Sequence, residues 1–107
     1  MTQSSDLYLA QILNTLSHKR RVKIFRILFE NAGTGTQFAT LEARARMPHS
    51  SLIHHLRVMQ AGGLLTRHSV GARTIYRLSL SSLSAHISDL TRLLGQTKRD
   101  GKQDMAA

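Results

Sequence analysis

The chain has 107 residues, with 15 Lys+Arg against six Asp+Glu and a net charge of +9 when the histidines are neutral. That length fits one domain with a modest core. The charge, with a pI near 11.4, points to a polyanion or an anionic surface as partner. The absence of cysteine excludes disulfides, thiolate metal sites and cysteine redox chemistry. No apolar run approaches the roughly 20 residues of a spanning helix, and no signal-peptide pattern opens the chain, so a cytoplasmic protein with no membrane partner is expected.

Residues 1–5 are polar and are expected to fray. The pattern then predicts a first helix from Asp6 to Leu16, with Ser5 as its cap and Leu9, Ile12, Leu13 and Leu16 as its apolar row. Ser17 is placed to cap a second helix from His18 to Glu30. Its core row is Val22, Phe25, Leu28 and Phe29, widened by Ile24 and Ile27. Lys19, Arg20, Arg21, Lys23 and Arg26 crowd the other side, either as a solvated face or as a contact surface.

The stretch Asn31 to Thr36 carries two glycines and reads as a loop. A third short helix is predicted over Gln37 to Arg46, with Phe38, Leu41 and Ala45 at helical spacing. Pro48 blocks its continuation, because it lacks an N–H and restrains Met47. A fourth helix follows and stops at Gly62-Gly63. Leu52, Leu56 and Met59 define its inner face, and Ser50 and Ser51 are expected to cap it. Helix, short turn and helix make the helix-turn-helix arrangement. The outer side of the fourth helix carries His49, Ser50, Ser51, His54 and Arg57, all hydrogen-bonding groups and none acidic. Arginine is the commonest reader of base edges, so Arg57 is the leading candidate for DNA contact. His54 reads either as a base contact or as an exposed histidine, and His55 either supports the helix or touches phosphate.

After Leu65 the period changes. Thr66 to Ser69 and Ala72 to Leu78 read as two strands around a glycine turn, with Tyr76 and Leu78 on one face. Arg67, His68, Arg73 and Arg77 make this hairpin basic, suited to phosphate backbone or minor groove. Ser81 or Ser82 is placed to cap a last helix from Leu83 to Gly95, with Leu83, Ile87, Leu90 and Leu94 on one stripe. The polar tail, residues 96–107, is expected to be disordered. One domain over residues 6–95 is therefore expected: mainly α with a β-hairpin wing, a winged helix-turn-helix.

The order of these elements resembles the ArsR/SmtB type of bacterial winged-helix regulator. The similarity lies in Leu16 to Ile24, in Ser50 to Met59 with Gly63-Leu64-Leu65, and in Gly71 to Leu78. The resemblance implies a homodimer through the first and last helices, with Leu9, Ile12, Leu13, Leu83, Ile87, Leu90 and Leu94 at the interface. It also implies a twofold-symmetric operator in double-stranded DNA and a repressor released by an inducer. Members that sense soft metals place cysteines on the third helix, and this chain has none. Members that sense zinc use four ligands on the last helix, where this chain offers Ser84, His86, Thr97 and Asp100. That set is too poor for a tetrahedral zinc site, so no metal site and no cofactor are expected, and the signal is expected to be of a non-thiol kind.

The expected function is sequence-specific DNA binding in transcription regulation, by a dimeric repressor, with His49, Ser50, Ser51, His54, His55, Arg57, Arg67, His68, Arg73 and Arg77 as DNA-contacting residues. The alternatives are a winged-helix module that docks a protein partner and a non-specific nucleic-acid binder. An enzyme is not expected, because the acidic residues form no convincing pair and no histidine–nucleophile constellation appears.

Overall fold

In the computed structural model, the described residues are 3–81, 83–88, 90–92 and 94–95, with side chains described from Asp6 onward. The expectations for residues 1 and 2, for the tail from residue 96 and for Ser82, Thr97 and Asp100 lie outside them, whereas residues 3–5, expected to fray, and Ser5, expected to cap, are already helical. Four helices run as α1 (Gln3–Thr15), α2 (Lys19–Phe29), α3 (Phe38–Ala45) and α4 (His49–Ala61). Three strands, β1 (Thr36–Gln37), β2 (Leu65–Val70) and β3 (Arg73–Leu78), make one antiparallel sheet in the order β1-β3-β2. The described residues from 80 to 95 are helical and form α5.

The core is built where the helical stripes converge. Ile24 and Leu28 of α2, Leu41 of α3 and Leu52, Leu56 and Met59 of α4 are essentially without exposure, as are Leu64 and Leu65 at the entry to β2. Tyr76 and Leu78 close this core from β3. The buried row of α2 is Ile24, Ile27 and Leu28, whereas Phe29, expected inside, is 60% exposed. The helix is rotated so that the β-branched isoleucines, which lose little rotamer freedom on burial, fill the centre. In α1, Ile12 and Thr15 are buried, Leu9 is half-buried and Leu13 is exposed, and Leu16, just past its end, is half-buried. Ile12 and Leu83, both expected at the dimer interface, belong to the core of the protomer itself.

The caps differ from the sequence expectation at every start that can be checked. His18 caps α2, its Nδ1 accepting from the Arg20 N–H at 3.1 Å, while the Ser17 hydroxyl donates back to the Asn14 carbonyl. Pro48 is the N-cap of α4, so Ser50 and Ser51 lie within its first turn and cap nothing. The Ser79 carbonyl receives the first bond of α5, from Leu83 N, and Ser81 lies inside that helix. In α4 and α5 the chain enters the helix earlier than the serines, because a preceding carbonyl already has the geometry to start the ladder, whereas α2 starts one residue later than expected, on His18.

Two of the basic residues of α2 tie helix ends together. Arg21 Nε donates to the carbonyl of Thr15, the last residue of α1, at 2.5 Å, and Lys23 Nζ donates to that of Ala45, the last residue of α3, at 2.7 Å. Cations belong at these ends, where unsatisfied carbonyls and the helix dipole carry negative charge. The turn between α3 and α4 depends on Arg46, which adopts the left-handed conformation with φ at 51°. Between β2 and β3, Gly71 has φ at 61° and Ala72 follows with negative φ, the pattern of a II′ hairpin turn.

Candidate nucleic-acid interface

α4 presents Ile53, Arg57 and Gln60 at spacings of four and three, which is one helical face. The pleat of the hairpin sets Arg67 opposite Tyr76, with Thr74 two residues along from Tyr76 on the same side. The two faces border a groove of about 440 Å³, lined by Ile53, Arg57 and Gln60 from α4, by Arg67, Thr74 and Tyr76 from the hairpin, and by Phe38. Arg57 and Arg67 thus come from different elements to one concavity. Neither has a carboxylate partner among the described residues. Elsewhere, Glu30 is held by a forked pairing to Arg44, and Glu42 by His49. The guanidinium hydrogen bonds hold the Glu30 carboxyl below its usual range and raise Arg44 in turn.

The other residues expected to touch DNA are distributed unevenly. Ser50 and His54 are exposed and Ser51 is half-exposed. His49 is exposed, but its Nδ1 is engaged by Glu42 and its ring meets Phe38 edge-on at 5.5 Å. Arg73 stands at the wing tip beside a second hollow of about 230 Å³ shared with Gln37, Phe38 and Ala39. His68 and Arg77 fall on the hairpin face opposite the groove, by strand alternation, and His68 Nε2 shares a 2.9 Å hydrogen bond with the Thr66 hydroxyl.

His55 departs from the surface role. It is 6% exposed and completes the buried stripe Leu52, His55, Leu56, Met59. Its ring meets those of His18 at 4.8 Å and His54 at 5.6 Å. Burial, and then the positive charge of His18, Arg21, His54 and Arg20, makes it harder to protonate than an ordinary histidine. Gln60 and Thr74 were not singled out from sequence. The signal for Gln60 was its position three residues beyond Arg57 on one helical face.

Among the described residues, no three His, Asp or Glu side chains converge as a metal-holding group. His86 stacks on the Tyr8 ring, with centroids 5.4 Å apart, at a cleft of about 140 Å³. No described helix is long and apolar enough to cross a membrane.

Comparison of the whole chain with solved structures places it. An ArsR-like transcriptional regulator from a Rhodococcus species superposes with a TM-score of 0.72 at 25% identity, covering 91% of this chain and 89% of that one. The fold is that of an ArsR-type winged helix. HlyU from Vibrio cholerae matches this winged helix with a TM-score of 0.68 at 23% identity, over 86% of this chain and 97% of that one. The homodimeric winged helix-turn-helix DNA-binding domain of a possible ArsR-family regulator from Mycobacterium bovis matches with a TM-score of 0.65 at 17% identity, over 94% and 92% of the two chains. No protein-family model matches the sequence, and no curated protein matches it. In this winged helix, α3 and α4 are the helix-turn-helix pair and β2–β3 is the wing.

Proposed function

We propose that the chain is a cytoplasmic DNA-binding transcriptional regulator that acts as a homodimer and represses by occupying a twofold-symmetric operator. The observation that carries this reading is the convergence of Arg57 on α4 with Arg67 on the wing, in a groove with no described carboxylate to neutralise them. His54, Ser50 and Ser51 extend the polar face of α4 toward a major groove, and Arg73 at the wing tip meets the flanking backbone or minor groove. His68 and Arg77, on the far face of the hairpin, serve as backbone contacts at most. The Mycobacterium bovis domain of the same fold is a DNA-binding homodimer, which supports both halves of the proposal.

In the dimer, the two α4 helices are expected to meet half-sites roughly 34 Å apart, one turn of the duplex. The test is selection of a preferred duplex from a random pool, followed by titration against that duplex and a scrambled one. A regulator is expected to prefer the selected duplex by about 10³-fold or more. Its affinity is expected to fall by about 10³-fold between 50 and 200 mM salt if each protomer neutralises several phosphates. Equal affinity for both duplexes overturns the sequence-specific reading, and a flat salt response overturns DNA as the partner.

A further inference from the structure

The groove between α4 and the wing is more than a basic strip. Its volume, about 440 Å³, lies within the roughly 300–1,000 Å³ of small-molecule sites. The hollow at the wing tip and the cleft beside Tyr8 and His86, at about 230 and 140 Å³, fall below that range. Its walls are chemically divided. Phe38 and Tyr76, with ring centroids 6.4 Å apart, and Ile53 make an apolar side. Arg57 and Arg67 supply two guanidinium groups with no described carboxylate, and Gln60 and Thr74 add neutral hydrogen-bonding groups. The edge-on contact of His49 at 5.5 Å steadies the Phe38 ring.

From this division we infer that the groove binds a planar aromatic carboxylate, and that its occupancy excludes DNA. A guanidinium presents a planar fork that matches a carboxylate in two parallel hydrogen bonds. A ring attached to that carboxylate lies against the apolar wall, where aromatic contact adds to area burial. An inorganic anion satisfies the arginines but leaves the apolar wall wet. A neutral aromatic leaves the two cations that line the groove unneutralised. The second part of the inference rests on the DNA-binding reading above. If Arg57 contacts DNA it cannot also hold a carboxylate, so the ligand and the operator compete for one side chain. Release would then need no thiol and no rearrangement between distant sites.

The experiment uses the full chain in two arms at constant ionic strength. In the first, with no DNA present, 1-naphthoate is titrated into isotope-labelled protein. Saturating amide shifts at Phe38, Ile53, Gln60 and Arg67 are expected below about 1 mM, the weakest affinity that counts as a site here. Cyclohexanecarboxylate and sulfate are expected to bind at least tenfold more weakly, and Arg67→Gln and Arg57→Gln to lose at least tenfold for naphthoate. Equal binding of sulfate, or shifts confined to Tyr8 and His86, overturns the site. In the second arm, the apparent Kd for the selected duplex is expected to rise in proportion to naphthoate concentration. A saturated groove with an unchanged duplex affinity overturns the competition. The arms fail separately. A chain that binds naphthoate but no specific duplex refutes the regulator reading alone, and one that binds its duplex but no naphthoate refutes this inference alone.

Discussion

The ring of His55, on the buried side of α4, lies with its centroid 4.8 Å from that of His18, the residue that caps α2. The Nδ1 of His55 has no hydrogen-bond partner among the described residues. Burial first, and then His18, Arg21, His54 and Arg20, depresses its pKa below the ordinary 6.5. The folded state therefore resists a proton that the unfolded chain accepts. Above the unfolded value both states are neutral and the contribution to stability is complete. As pH falls through it, stability declines and goes on declining until the folded value is reached. The melting temperature is expected to hold between about pH 7 and 8 and to fall toward pH 5.5. His55→Leu, which keeps the stripe apolar without a titratable ring, is expected to flatten that slope, and matched thermal melts across this range check it. Equal slopes in the two proteins would show that other groups set the acid limit.

Gly62 meets Thr15 where the end of α4 approaches α1. A Cβ built on Gly62 lies 2.4 Å from the Thr15 hydroxyl oxygen. Thr15 is 4% exposed and its hydroxyl donates to the Gln11 carbonyl at 2.7 Å, so it has little room to yield. Gly62→Ala is expected to cost about 1–3 kcal/mol, as overpacking does. Thr15→Ala in the same chain is expected to recover most of it, and denaturant melts of the four proteins in the cycle give the coupling. Additive losses would place the cost in the backbone conformation of Gly62 instead.

Where stripes of leucine and isoleucine recur at helical spacing, the sequence is enough, as in Leu52, Leu56 and Met59 of α4, all 1% exposed or less. The same stripe contains position 55, but a histidine there reads as polar, so its support of the helix stood beside phosphate contact as an open alternative and only the structure decides for burial. β1 was missed because Thr36 reads as the end of a glycine-containing loop and Gln37 as the start of the third helix, while the strand pairs only with β3, a contact far off in sequence. Gly35 permits it, with φ at 88° and a Cβ that would fall 2.6 Å from Ile75 Cγ2. The composition of the basic surface was legible. The division of labour within it was not, since Arg21 and Lys23 spend their charge on helix ends and only strand alternation separates Arg67 from His68.

Glu42 is expected to work against DNA binding. It engages His49 at the start of α4 and puts a negative charge at the candidate interface. Both side chains are well exposed, 42% for Glu42 and 66% for His49, so their pairing contributes little to folding. Glu42→Gln is expected to tighten binding to the selected duplex by roughly two- to fivefold at low salt, with the gain shrinking as salt rises. Stability is expected to stay within about 0.5 kcal/mol of the parent. Weaker binding by the variant would instead mean that Glu42 orients His49 toward DNA.

Arg57 and Arg73 are both exposed arginines, one facing the groove from α4 and one at the wing tip. If α4 enters the major groove, Arg57→Ala is expected to cost about 1–3 kcal/mol on the selected duplex and to relax preference at one base position. Arg73→Ala is expected to weaken selected and scrambled duplexes alike and to lower the salt slope by about one unit. Fluorescence anisotropy over a panel of single-base variants separates the two. Parallel losses from both variants on every duplex would leave no base reading in α4.

The leucines expected to join two protomers are not equivalent. Ile12 and Leu83, each 4% exposed, already serve the core of one chain. Leu13, Ile87 and Leu94, at 49%, 40% and 59%, remain exposed on α1 and α5, with Leu7 beside them at 69%. Apolar side chains left on two adjoining helices are what a second copy would cover. Leu94→Asp and Leu13→Asp are therefore expected to give a monomer with an unchanged helical spectrum, because only the assembly loses burial. Leu83→Asp is expected to unfold the chain, since it puts a charge into the core. Light scattering after size exclusion, paired with circular dichroism, distinguishes these outcomes. The monomeric variants are also expected to lose most specific DNA affinity, because one protomer spans a single half-site. Dimers that survive both aspartates would place the contact elsewhere, and operator binding by a monomer would remove the need for symmetry altogether.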